Sequence, residues 1–313
     1  MRTLFVGAGA TGGYFGGRLA QAGKDVTFLV RPGRQATLAR RGLRIKGPDG
    51  EAVVHPHTVT AESLGGPYDL VVLAVKSYAL EQAMLDLAPA LGPRTVIVPL
   101  LNGIRHIDQL VGAFGPERVW GGVCVIMATL DADDDVVLMG GPLRLGYGPL
   151  DGADDDRLPE VTFALEGEEF DSHPSHTIVG DMWEKWVLLA TLGAITTLMQ
   201  GTVGDINRAP GGATFAQAVM AEAIAVATAA GHAPRPGAVA LFEHMVAGNE
   251  PTTSSMYRDM VAGRPVEADA ILGDFVTRAA EHDVPVPLLS AAYTRLTLYS
   301  AGRTTPGRGT LGR

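Results

Sequence analysis

The chain has 313 residues, 46 % of them hydrophobic and 19 % charged, which is enough apolar material for two packed domains and unlike a disordered chain. A net charge of -9 excludes nucleic acid as the main partner, because phosphate binding needs a clustered positive surface. Among 25 basic residues only Lys24, Lys46, Lys76 and Lys185 are lysines, so lysine is scarce, with Lys24 and Lys46 reading as ordinary surface charges. Cys124 is the sole cysteine, so no intramolecular disulfide forms, and a reducing cytoplasm is the expected compartment.

The opening run MRTLFVGAGATGG has no charged leader and no cleavage site, so it reads as a first strand and not as a signal peptide. Strands are expected over Arg2–Val6, Val26–Val30, Leu70–Val75 and Thr95–Pro99, with helices over Gly13–Ala22 and Ala79–Leu91. Continuous apolar runs of that length suit strands buried on both faces of a parallel sheet. Their alternation with helices predicts a doubly wound α/β domain of the Rossmann type. β-rich runs follow at Val119–Met127, Val136–Met139 and Leu143–Tyr147, with Asp133–Asp135 and Asp154–Asp156 read as solvated loop tips. Beyond Pro174 the pattern is helical: Trp183–Met199, Ala213–Ala230, Pro236–Ala247, Val266–His282 and Pro287–Ser300. The expected organisation is a dinucleotide-binding domain over 1–174 and an all-α domain over 175–313, with a frayed tail from about Gly302. The uncharged stretch from Trp186 to Gly204 is near membrane-spanning length, but its threonines and tight charged flanks make it a buried helix instead.

Gly7-Ala8-Gly9-Ala10-Thr11-Gly12 is a G-x-G-x-x-G that follows a strand and opens a helix. The first glycine permits the tight turn, the second lets backbone approach a pyrophosphate, and the third allows close helix–strand packing. The helix N-terminus adds oriented N–H donors, so the segment predicts dinucleotide binding. An NAD site expects a carboxylate at the end of the second strand. Here Arg31 stands there instead, with Arg34 nearby, which predicts NADP and its 2′-phosphate. Ligands of such sheets bind beyond the carboxyl ends of strands, which places Lys76 and Asn102 toward the nicotinamide.

Lys185, within WEKW, lies at the start of the long uncharged helix. Apolar surroundings disfavour a charged amine and so suit a lysine to proton transfer, whereas arginine stays protonated. A helix-end lysine that merely snorkels is the structural alternative. In TTSSMYRD, Ser254 or Ser255 fits a helix N-cap, and Glu267 opens a further helix. Local rules assign neither a catalytic role. His55, His57, His173 and His176 lack metal-site spacing and carboxylate company, so no metal is expected. Cys124, inside an apolar run, reads as a buried thiol.

The ordered set GAGATGG, LVR at Leu29–Arg31, VKS at Val75–Ser77, LNG at Leu101–Gly103, WEKW, SSMYRD and VEADAILG resembles the ketopantoate reductase family over nearly the whole chain. The resemblance implies a Rossmann domain joined to an all-helical domain, and NADPH-dependent reduction of a 2-keto acid, with ketopantoate the leading substrate. It implies Gly7, Ala8, Gly9, Ala10, Thr11 and Gly12 at the pyrophosphate, Arg31 at the 2′-phosphate, and Ala128 against the nucleotide. By the same resemblance Lys76 and Asn102 line the cofactor and substrate crevice, Lys185 donates the proton, Ser255 binds the substrate, and Glu267 orients the reacting groups. Relatives that bind ketopantoate carry asparagines four and eight positions beyond the lysine; here these are Leu189 and Gly193. A different, branched or bulkier 2-keto acid is therefore a second reading, and a non-catalytic NADP-binding sensor a third. The expected partner is a small 2-keto acid, without nucleic acid or membrane; a homodimer is the candidate assembly, since helical domains this apolar often pair.

Overall fold

The computed structural model describes residues 1–48 and 50–304. The strands are β1 (Thr3–Val6), β2 (Val26–Leu29), β3 (Leu43–Gly47), β4 (Gly50–Val54), β5 (His57–Val59) and β6 (Tyr68–Leu73). They continue as β7 (Leu91–Pro99), β8 (Trp120–Val125), β9 (Ala128–Leu130), β10 (Val136–Leu138), β11 (Arg144–Pro149) and β12 (Asp171–Pro174). The first five helices lie among them: α1 (Ala10–Gln21), α2 (Pro32–Arg41), α3 (Leu80–Leu87), α4 (Arg105–Phe114) and α5 (Leu158–Leu165). The helical half holds α6 (Ile178–Met199), α7 (Val203–Arg208), α8 (Gly212–Ala229), α9 (Pro236–Ala247), α10 (Ser255–Val261), α11 (Asp274–Glu281) and α12 (Pro287–Thr304).

The main sheet runs β5-β2-β1-β6-β7, every neighbouring pair parallel. β1 and β2 are buried along their whole length, as expected of apolar runs covered on both faces. Strand order reverses between β1 and β6, which is the switch point where such sheets bind ligands. A second sheet, β4-β3-β10-β9, packs on the other side of α1. The glycines of α1 make that approach possible. A Cβ at Gly16 would stand 2.6 Å from the Phe28 ring, and one at Gly17 would stand 2.8 Å from Leu43. The third sheet is β12-β11-β8.

Several expectations change in detail. The helix expected over Ala79–Leu91 is shorter, because Ala88–Ala90 tightens into a single 3₁₀ turn at Pro89 and β7 begins at Leu91. Asp135 is no solvated loop tip: its side chain is 6 % exposed and accepts from Arg41 and Lys46. Lys46 also bridges to Asp131 at 2.8 Å, and that hydrogen bond holds the Asp131 carboxyl down to about 2. Lys24 gives its ammonium to the Phe163 carbonyl at 2.7 Å. Gly302 is helical, since α12 continues to Thr304; the rest of the expected tail lies outside the described residues.

The chain divides into two compact units. The first holds Met1–Leu101 and His106–Met182; the second holds Asn102–Arg105 and the described residues from Trp183 onward. In the second, α8 packs with α7, α9, α11 and α12. Among the described helices α8 is long and apolar enough to cross a membrane by length and composition. The stretch Trp186–Gly204 does not form one helix: α6 ends at Met199, Gln200 takes a positive φ of 53°, and α7 starts at Val203.

Candidate active site

In the first unit, Gly7 follows β1 with φ +98°, a conformation that favours glycine, and donates its N–H to Leu29 O at 3.0 Å. A Cβ at Gly12 would stand 2.2 Å from Gly7 O, so the third glycine is where α1 meets the loop it leaves. Gly9 is different. A Cβ there meets nothing within 4 Å, which leaves open space over the backbone. Gly9 caps α1 without a side-chain hydrogen bond, so the first-turn N–H groups of Ala10 and Thr11 are available to an anion. This loop fits the pyrophosphate of a dinucleotide. Ala8 is buried; Ala10 and Thr11 are half-buried.

Arg31 is exposed just past β2, at the N-cap of α2. Arg34, one turn on, turns inward and donates from Nη2 to Ala8 O at 3.0 Å. Burial pushes its guanidinium below the ordinary arginine range, and the charges of Asp134 and Asp135 oppose that shift. The two arginines thus have different tasks: Arg34 braces the glycine loop, and Arg31 presents charge to solvent. Lys76 is exposed beyond the end of β6, on the opposite side of the switch point from β1's partner β2. Ala128 begins β9 and packs half-buried against the core of this unit.

The second unit gathers Asn102, Lys185, Ser255 and Glu267. Lys185 is not at a helix start: α6 begins at Ile178, and Lys185 sits half-buried in its interior. Its neighbour Trp186 is buried and donates from Nε1 to Ile271 O at 3.0 Å. Ile271 belongs to a π-helical turn, Asp269–Gly273, that precedes α11. Glu267, 5 % exposed, lies just before this turn and accepts from Ile271 N at 3.1 Å through its carbonyl. The helix expected from Val266 therefore begins later, with a widened turn instead of regular winding. Gly103, with φ +81°, presses on the same turn: a Cβ there would stand 2.4 Å from Ala270 O. One π turn thus ties the Asn102 loop, the Lys185 helix and Glu267 together. Asn102 is half-buried and clusters with the helical unit, although it lies within the range expected for the first domain.

Ser254, not Ser255, is the N-cap of α10, accepting from Tyr257 N at 3.0 Å. Ser255 is the first helical residue and is half-buried. Glu184, next to Lys185, grips Arg235 through both carboxylate oxygens at 2.7 and 2.5 Å. Trp183, Trp186 and Phe275 pack ring against ring beside it, with His232 stacked on Trp183 at 4.9 Å. Burial, with the nearby Arg278 charge, lowers the His232 imidazole from its ordinary value. Sequence reading singled out neither Trp186 nor Gly103 as a support, because their partners lie far along the chain. A surface groove of about 700 Å³, lined by Arg105, Asp269, Thr277, Glu281 and Tyr293 among others, also borders the π turn. None of the expected site residues lines it. Within it the Tyr293 hydroxyl donates to Asp269 at 2.8 Å, which raises the phenol above its ordinary range.

Both halves of the chain match known proteins. Residues 3–152 match the family described as Ketopantoate reductase PanE/ApbA, and residues 177–300 match its C-terminal counterpart. The uncharacterized oxidoreductase YkpB of Bacillus subtilis (strain 168) is 34 % identical over 302 residues, covering 96 % of this chain and 99 % of that protein. The crystal structure of 2-dehydropantoate 2-reductase from Methylococcus capsulatus superposes with a TM-score of 0.84 at 27 % identity, covering 100 % of both chains. The ternary structure of D-mandelate dehydrogenase with NADH and anilino(oxo)acetate shares the fold, with a TM-score of 0.86 at 20 % identity over 97 % of this chain and 100 % of that one. With both halves matched in order, and with the parallel sheet and helical half in place, the chain belongs to the ketopantoate reductase family.

Proposed function

We propose that the chain reduces a 2-keto acid to the 2-hydroxy acid with NADPH, and that Lys185 protonates the ketone oxygen. Ketopantoate, reduced to pantoate, is the reference substrate, since it is the acid for which the family is named. The observation that supports the reading is the π turn: Gly103, next to Asn102, and Trp186, next to Lys185, both pack on it, and Glu267 lies just before it. The dinucleotide, when bound at the glycine loop, supplies the hydride that reaches C2. As the carbonyl π bond breaks, negative charge grows on oxygen. An ammonium aimed at that oxygen stabilises the charge and then transfers its proton, and Lys185 regains one from solvent. Ser255 binds the substrate's carboxylate or hydroxyl end, and Glu267 orients the reacting groups. Arg31, in place of the carboxylate an NAD site expects, supports NADPH as the reductant.

Lys185→Arg is the pointed test, because it keeps the positive charge and removes the ability to give up a proton. We expect kcat for NADPH oxidation with a 2-keto acid to fall by roughly a hundredfold to ten-thousandfold, with the circular dichroism spectrum unchanged. Full activity in that variant would remove Lys185 from the mechanism. A parent protein that binds NADPH yet reduces no 2-keto acid would point to the sensor reading instead.

A further inference from the structure

The segment that leads from Glu267 into α11 is wound one residue wider than an α-helix. Asp274 N donates to Asp269 O, five residues back, while Ile271 N still donates to Glu267 O, four back. Such turns are rare. Nothing local asks for one here: VEADAILG holds no proline, and Gly273 at its end keeps ordinary helical angles of -61° and -47°. The extra residue matters for direction. Each residue of a helix turns the chain by about 100°, so a regular helix continued back from α11 would present position 267 about 100° away from where it stands.

Two side chains from other helices grip this turn. From α6, Trp186 Nε1 donates to Ile271 O at 3.0 Å in a buried bond, and its ring packs edge-on against Phe275 at 4.3 Å. From α12, Tyr293 touches both ends of the turn. Its hydroxyl donates to Asp269 Oδ1 at 2.8 Å, and its ring lies against Gly273, where a Cβ would stand 2.9 Å from the ring Cζ. Gly273 thus makes room for a ring and answers no need of the backbone. The phenol reaches Asp269 only in the wide register, since regular winding would carry that carboxylate about 100° around the axis. We propose that Trp186 and Tyr293 are positioning residues, which together hold the turn in its wide register and so fix the direction of Glu267. The proposal rests on the reading that Glu267 orients the reacting groups; both residues act through Glu267 and not on the substrate.

The test uses the full chain. Tyr293→Phe removes only the hydroxyl, and Trp186→Phe removes the indole N–H while keeping a ring beside Phe275. Hydrogen exchange of the backbone amides over 269–274, read by mass spectrometry, reports on the turn without any substrate. We expect exchange to quicken about three- to tenfold in Tyr293→Phe, and by more in Trp186→Phe, whose bond is buried. In both, kcat for NADPH oxidation with a 2-keto acid should fall by similar factors, with the KM for NADPH unchanged. A Glu267→Ala background separates positioning from mere support. There the loss of the Tyr293 hydroxyl should cost no further kcat, because both changes act on one group. Parental exchange in Tyr293→Phe, or a further loss of kcat in that background, would overturn the proposal. Tyr293→Phe keeps the ring against Gly273, so it decides the matter even should Trp186→Phe fold poorly. Quickened exchange together with full kcat in Glu267→Ala, or with a parent that reduces no 2-keto acid, would leave the grip on the turn standing and overturn the function assigned to Glu267.

Discussion

Arg31 and Arg34 stand one helical turn apart, yet under the proposed function only Arg31 meets the cofactor's phosphate. Arg34 has spent a donor on Ala8 O inside the glycine loop, while Arg31 remains exposed at the start of α2. A charge-assisted contact of this kind contributes about 1.5–3 kcal/mol, or roughly ten- to a hundredfold in affinity. Arg31→Ala should therefore raise the KM for NADPH by about that factor and leave the KM for NADH nearly unchanged. Arg34→Ala, which loosens the loop both dinucleotides share, should weaken them alike. Steady-state titration of each cofactor distinguishes the two arginines; an Arg31 variant that loses both cofactors equally would contradict the assignment. Sequence position alone gave the two side chains similar standing, because nothing local shows that Arg34 turns inward.

Among the elements, the π turn before α11 bears the most constraint. Gly103 reaches it with φ +81° and no room for a methyl group, since Ala270 O would lie 2.4 Å from a Cβ. Gly103→Ala combines backbone strain with a steric clash, each of which costs on the order of 1–3 kcal/mol. We expect a lowered urea midpoint and a reduced kcat at unchanged NADPH affinity; a variant as stable and active as the parent would show that the loop does not lean on this turn. The parallel strands, the glycine loop and the major helices were legible in the sequence because each carries a local signal: apolar runs, strand-then-glycine order, 3.6-residue periodicity. Strands β3, β4, β5 and β9 were not, being partly exposed and lacking continuous apolar runs. The same limit holds at the site. Lys185 and Ser255 were found as residue types in recognisable motifs, but the Met256–Gly193 contact and the Trp186 anchor exist only once α6 meets α10 and the π turn.

Over the whole molecule the proposed site residues divide between the two units. The glycine loop and Arg31 belong to one compact unit, and Lys185, Ser255 and Glu267 to the other. A ligand bound only by the folded form stabilises it by about 2.7 kcal/mol at a hundredfold excess over its Kd, which for a unit of this size is a rise of roughly 5–10 °C. NADPH should thus raise the unfolding temperature of the glycine-loop unit well beyond what equimolar NADH achieves, as scanning calorimetry would register; equal shifts would speak against the role given to Arg31. Residues 102–105, meanwhile, are encoded among the strands of the first unit but cluster with the helices. No single cut in the gene yields a helical fragment that keeps its Asn102 and Gly103, so the helical half is not a transferable cassette. Recombination that paired this helical half with another dinucleotide-binding half would succeed only if the donor brought a matching four-residue insert. The two halves are therefore bound to change together.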